Sequence, residues 1–164
     1  MKFRVEANVI QFMPDGPAKE EAMLSYEYHK SYVAGFPDVI VTPEDDALRQ
    51  EAANIAGINV STLPEAKVLK GFVTRLFYLL NEEGMIPGAK IIEICKMYDD
   101  RAPAEAIRAS IESVGGSNGL TERKLYLWII HMFGDCSEEE FYSGVTELIG
   151  AASNFRQAQQ QYFN

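Results

Sequence analysis

The chain has 164 residues, of which 47% are hydrophobic and 24% charged, with two cysteines and a net charge of −9. A chain of that length buries roughly two-thirds of the surface it exposes when unfolded, so it needs no disulfide or metal to fold, and its apolar share excludes wholesale disorder. The acidic excess is spread along the sequence, which argues against a nucleic-acid face or an anionic-membrane anchor, since both rely on clustered Lys and Arg.

Cys95 and Cys136 stand apart in sequence and are expected to be reduced thiols, because a secreted domain usually carries a denser set. Met1–Glu6 has no apolar signal core. The longest apolar run, Leu125 to Phe133, is about half of what a membrane span requires. The expectation is a cytoplasmic protein with no membrane association and no cofactor.

Residues 2 to 9 alternate, with Phe3, Val5, Ala7 and Val9 on one side and Arg4, Glu6 and Asn8 on the other, the pattern of a half-buried strand. The phase slips at Val9-Ile10, which a bulge would explain. This strand needs a partner: either Asp38–Val41 or a second copy of the chain, the latter giving a homodimer. Pro14-Asp15-Gly16-Pro17 ends it and opens a helix to about Ala34. Gly35-Phe36-Pro37 stops that helix. Thr42-Pro43-Glu44-Asp45-Asp46 then places an N-cap, a proline and three acids at a helix start, and the helix ends near Gly57. Ser61 or Thr62 is expected to cap the next one, with Pro64 in its first turn. Its Val68, Leu69, Phe72, Val73, Leu76, Phe77 and Leu80 form a broad apolar surface, which places this helix centrally.

Gly84 and Pro87-Gly88 separate it from a helix over Ala89–Tyr98 that buries Ile91, Ile94, Cys95 and Tyr98. Pro103 opens another, with Ile107, Ile111 and Val114 inward. Gly115–Gly119 is a loop. Thr121 caps Glu122–Phe133, whose inner stripe is Leu125, Trp128, Ile129 and Met132, with Trp128 as a core anchor; Gly134 closes it. Ser137 and Glu140 form a capping box before Phe141, Val145, Leu148 and Ile149. Residues 151–164 are polar and read as a short helix or a frayed tail. With no β-α-β alternation to indicate a doubly wound fold, the chain reads as mainly α: a single compact bundle of about seven helices with a short N-terminal β element, α+β at the margin.

Candidate chemistry is sparse. His29 and His131 belong to no metal-binding pair, and His131 sits on a nearly all-apolar helix, where a core or half-buried histidine is expected. Neither cysteine has a ligand partner at the short spacing zinc sites use. Asp45-Asp46 and Glu138-Glu139-Glu140 are accounted for as acidic first turns, and Glu82-Glu83 and Asp99-Asp100 as solvated helix ends. The loop at Gly115–Gly119 lacks the preceding strand and following Lys-Ser/Thr of a phosphate cradle. No catalytic, cofactor-binding or metal residues are assigned.

Ala53, Gly57, Ile58 and Leu63 match the spacing of a helix-turn-helix corner. Pro64 and Glu65 stand where a DNA-reading helix would need basic or amide side chains, so an ordinary helical corner and no binding of duplex DNA are expected. Several aromatics fall on polar helix flanks: Tyr26, Tyr28, Tyr32, Tyr126, Tyr142 and Tyr162. Tyr28 and Tyr32 are adjacent on the first helix and are the candidate partner-binding residues. The function expected is a non-enzymatic protein that binds another protein, as an adaptor, inhibitor or assembly factor. The rival readings are a helix-turn-helix transcriptional regulator and an enzyme or small-ligand-binding protein whose site is assembled from distant residues.

Overall fold

The start signal at Thr42 works as its residue types dictate. The Thr42 side chain accepts from the Asp45 N–H, the Asp45 carboxylate accepts from the Thr42 N–H at 2.7 Å, and Pro43 follows, so α1 spans Pro43–Ala56. In the computed structural model, which describes residues 15–16 and 39–163, it is followed by α2 (Ala66–Leu80), α3 (Gly88–Tyr98), α4 (Ala104–Ser113), α5 (Glu122–Phe133) and α6 (Glu138–Phe163). The protein is mainly helical. The expected strand over residues 2 to 9, its pairing with a second copy and the helix from Pro17 to Ala34 lie outside the described residues; of the other expected partner, Asp38–Val41, the described residues Val39, Ile40 and Val41 form no strand.

Gly57, in the left-handed region at φ 72°, ends α1, its N–H bonding back to Asn54. The connection to α2 differs from expectation. Asn59, not Ser61 or Thr62, is the cap, and it caps a 3-10 turn over Val60–Thr62; Pro64 precedes α2 rather than entering its first turn. Arg49 explains why the chain lingers there. From α1 its guanidinium donates to the carbonyls of Pro64, Val60 and Leu63 at 2.8, 3.0 and 3.0 Å, fixing a loop that satisfies few of its own backbone acceptors.

The core is built around α5. Leu125, Tyr126, Leu127, Trp128, Ile129 and Ile130 are all buried because α5 packs against α1, α2, α4 and α6 at once. Met132, expected in its inner stripe, is instead exposed, as is His131: in the last turn only one side of the helix is covered, the side that turns Phe133 onto Phe141 of α6. Trp128 is fully buried and its indole N–H donates to the Ser110 hydroxyl of α4 at 2.9 Å.

Two features of the connections were not legible in the sequence. Glu82 and Met85 pair across a tight turn with Glu83 and Gly84 at positive φ, and Ile86 then exchanges both backbone hydrogen bonds with Leu120 at 2.8 Å. Ile86 and Leu120 are wholly buried, so this two-residue bridge seals one side of the core. At the other end, α6 does not stop at Gly150. It continues as one helix to Phe163, held by buried Ala151 and Ala152, by Phe155 packed against the core, and by Arg156 lying 4.9 Å over the Tyr78 ring. Among the described residues no helix is long and apolar enough to cross a membrane.

Candidate functional site

Helices α1, α2 and α5 meet at their sides and leave an open cleft of about 450 Å³. Its apolar lining is Leu48 of α1, Val73 of α2 and Tyr126 of α5, each presented by the helix face that continues into the core. Lys70 of the cleft lining donates from Nζ to the Ile40 carbonyl at 2.7 Å, just ahead of α1.

Charged side chains rim this lining. Lys70 also contacts Asp45 at 2.7 Å. Burial would raise the Asp45 carboxyl, but the hydrogen bonds from Lys70 and from the Thr42 N–H and hydroxyl, with the Lys70 charge, outweigh it and hold the group below the ordinary carboxylate value. Arg123 pairs with Glu51 across α5 and α1 in a half-exposed bridge, a type of contact that adds little stability. The Glu122 carboxylate accepts only the Thr74 hydroxyl, at 3.2 Å, among the described residues. Glu44, in the first turn of α1, is exposed and has no ion pair among them. Two cations thus meet four carboxylates in the lining, and among the described residues Glu44 and Glu122 have no ion pair.

Tyr126, also in the lining, is buried. Tyr126 is 4% exposed, and its OH makes no hydrogen bond among the described residues. Burial pushes its pKa well above the ordinary value; Arg49 opposes this, while Asp45 and Asp46 add to it. The phenol therefore stays protonated. Ser143 on α6 is the other such hydroxyl among the described residues, but it does not line the cleft.

The residues singled out from sequence fall elsewhere. Tyr28 and Tyr32, the expected partner-binding pair, lie outside the described residues, as does His29. Tyr126, read as a residue of a polar flank, is a buried cleft residue, and Tyr142 is half-buried with its hydroxyl donating to Glu138 at 2.7 Å. The unbroken apolar run from Leu125 to Ile130 was the sequence signal for Tyr126, since a helix apolar all round is covered all round. Neither Cys95 nor Cys136 forms a disulfide, and burial pushes the Cys95 thiol up to about 12, far from a reactive thiolate. Among the described residues no group of three or more His, Cys, Asp or Glu side chains could hold a metal ion.

At the Gly57 corner, residues 57–65 and a 3-10 turn separate the two helices, where a helix-turn-helix joins them by about three or four residues. Ala53 and Leu63 of the matching pattern are buried in the core, and Ile58 packs against it and fills the space beside Gly134. The spacing is thus explained by packing between α1, the loop and α5. No protein-family model, curated protein or solved structure matches this chain.

Proposed function

We propose that this chain is a non-enzymatic accessory protein of the cytoplasm that acts by binding another protein through a helical surface, and that the cleft between α1, α2 and α5 is that surface. The observation that supports this reading is the combination of an apolar floor (Leu48, Val73) with a rim where carboxylates outnumber cations. Association draws its affinity from apolar area removed from water at the centre of a contact, and its orientation and on-rate from charge at the edge. The side chains that build the cleft wall are already fixed by the fold, with Asp45 held by Thr42 and Lys70 and Arg123 held by Glu51, so little ordering cost falls on binding.

The test is quantitative affinity purification from the source cells, using the native chain and a Glu44→Lys, Glu122→Lys double variant. Both positions are exposed, so the variant is expected to keep its melting temperature within a few degrees. A protein enriched by the native chain and lost with the variant is the expected result. A captured set that is the same for both chains would overturn the cleft as the binding surface.

A further inference from the structure

The turn ahead of α5 pairs an asparagine with a glycine that the fold requires. Gly119 sits at φ 117°, in a region that residues with a side chain rarely adopt. It is also buried, and a Cβ there would lie 3.2 Å from Met85 Cε and 3.3 Å from the Ile86 carbonyl oxygen. Both constraints follow from its place between a turn and a bridge. The Gly119 N–H closes the turn on the Gly116 carbonyl at 2.8 Å, and the next residue, Leu120, exchanges its backbone hydrogen bonds with Ile86. Asn118, immediately before, is exposed, and its side-chain amide makes no hydrogen bond among the described residues. Asparagine is a thermolabile residue, because its side-chain carbonyl carbon lies within ring-closing reach of the next residue's backbone nitrogen. A Cβ on that next residue hinders the closure, and glycine has none. Asn118-Gly119 is the one such pair in the sequence; Asn8, Asn54, Asn59, Asn81 and Asn154 each precede a residue with a side chain.

We propose that Asn118 is a site of spontaneous deamidation to isoaspartate, and that the product unlocks the Ile86–Leu120 bridge. The Gly119 nitrogen attacks Asn118 Cγ. The new C–N bond closes a cyclic imide, and the side-chain nitrogen leaves as ammonia, taking the proton that Gly119 gives up. Water then opens the ring. Opening at the former backbone carbonyl leaves a free carboxylate there and routes the main chain through Cβ and Cγ, one carbon longer than before. That carbon is inserted inside the turn that Gly119 closes and just ahead of Leu120. The turn hydrogen bond and the register of Leu120 on Ile86 cannot both survive it. Ile86 and Leu120 are wholly buried, so loosening their pairing opens that side of the core. Until then the turn restrains the reaction, because the attacking nitrogen is held by Gly116, and attack proceeds from a locally opened state. Neither Asn118 nor Gly119 lines the cleft, so the proposal stands apart from the partner-binding reading.

The test ages the full chain at mildly alkaline pH beside a synthetic peptide of residues 114–122, which shows that the conditions suffice. Peptide mapping with isoaspartate-specific fragmentation reads the product. Isoaspartate is expected at Asn118 ahead of every other asparagine, and more slowly than in the peptide. The isoaspartyl chain, separated by chromatography, is then compared by amide exchange with Asn118→Asp, which adds the same charge without lengthening the main chain. Ile86 and Leu120 should exchange about tenfold faster in the isoaspartyl chain than in Asn118→Asp, the effect of about one lost hydrogen bond. Asn118 is exposed, so the Asn118→Asp chain is expected to melt within a few degrees of the native one. Two results would overturn the proposal. One is an intact Asn118 after ageing for many half-times of the peptide. The other is isoaspartate at Asn118 with Ile86 and Leu120 exchanging as they do in Asn118→Asp.

Discussion

Trp128 of α5 donates its indole N–H to the Ser110 hydroxyl of α4 at 2.9 Å, and Ser110 in turn donates to the Ile107 carbonyl at 2.5 Å, one turn earlier on its own helix. The largest fully buried side chain of the described core is thereby satisfied by the one polar side chain that α4 buries. Removing either member has a separable cost. Trp128→Ala should destabilise by about 3–5 kcal/mol through the cavity it leaves. Ser110→Ala keeps the packing but strands a buried N–H, for about 1–3 kcal/mol. Urea denaturation of both variants checks the order, and native Trp128 fluorescence should be that of an indole removed from water. A water-exposed emission maximum would contradict the buried site.

Arg49 closes the α1–α2 connection by binding three carbonyls at once. Arg49→Lys keeps the charge but cannot span three acceptors, so it should lose on the order of 2 kcal/mol. The loss should be local first, with faster amide exchange over residues 58–65 than over α5. Uniform exchange rates across the chain would show that the loop does not depend on this side chain.

The Asp45 carboxyl titrates below its ordinary value in the folded protein because of Lys70 and Thr42. A group depressed by folding contributes stability that is fully present above its unfolded pKa and is lost as pH falls through the folded value. Asp45→Asn should therefore be less stable than the native chain above about pH 5. That gap should shrink as the pH drops below 3.8, the ordinary value for the group. Denaturant midpoints from pH 6 to pH 2.5 test this; a gap independent of pH would refute the depressed titration.

Two glycines should respond in opposite directions to the same substitution. Gly150 is exposed within α6, and a Cβ there would meet nothing within 4 Å, so Gly150→Ala should stabilise by roughly 0.5–1 kcal/mol. At buried Gly116 a Cβ would lie 2.5 Å from Leu120 Cδ2 and 2.9 Å from Ile111 Cγ2. Gly116→Ala should thus destabilise by about 1–3 kcal/mol. Thermal melts of the pair read both signs in one experiment.

The mainly helical class, the starts of α1 and α5 and the burial of Trp128 were all legible in the sequence. These rest on interactions within a turn or two: Thr42 with Asp45, Thr121 with the Lys124 N–H, an apolar run with no polar break. Local hydrogen bonding and periodicity carry that information in neighbouring residues, so it can be read without knowing what lies across the fold. What crosses the fold could not be read. The three carbonyls that Arg49 holds, the bridge between Ile86 and Leu120, and the continuation of α6 through Gly150 each depend on a partner distant in sequence or on packing against other helices. The cleft belongs to the same class. Glu44, Val73, Thr74, Glu122 and Tyr126 come from three helices and share no motif, and only the packing of α1, α2 and α5 brings them to one cleft.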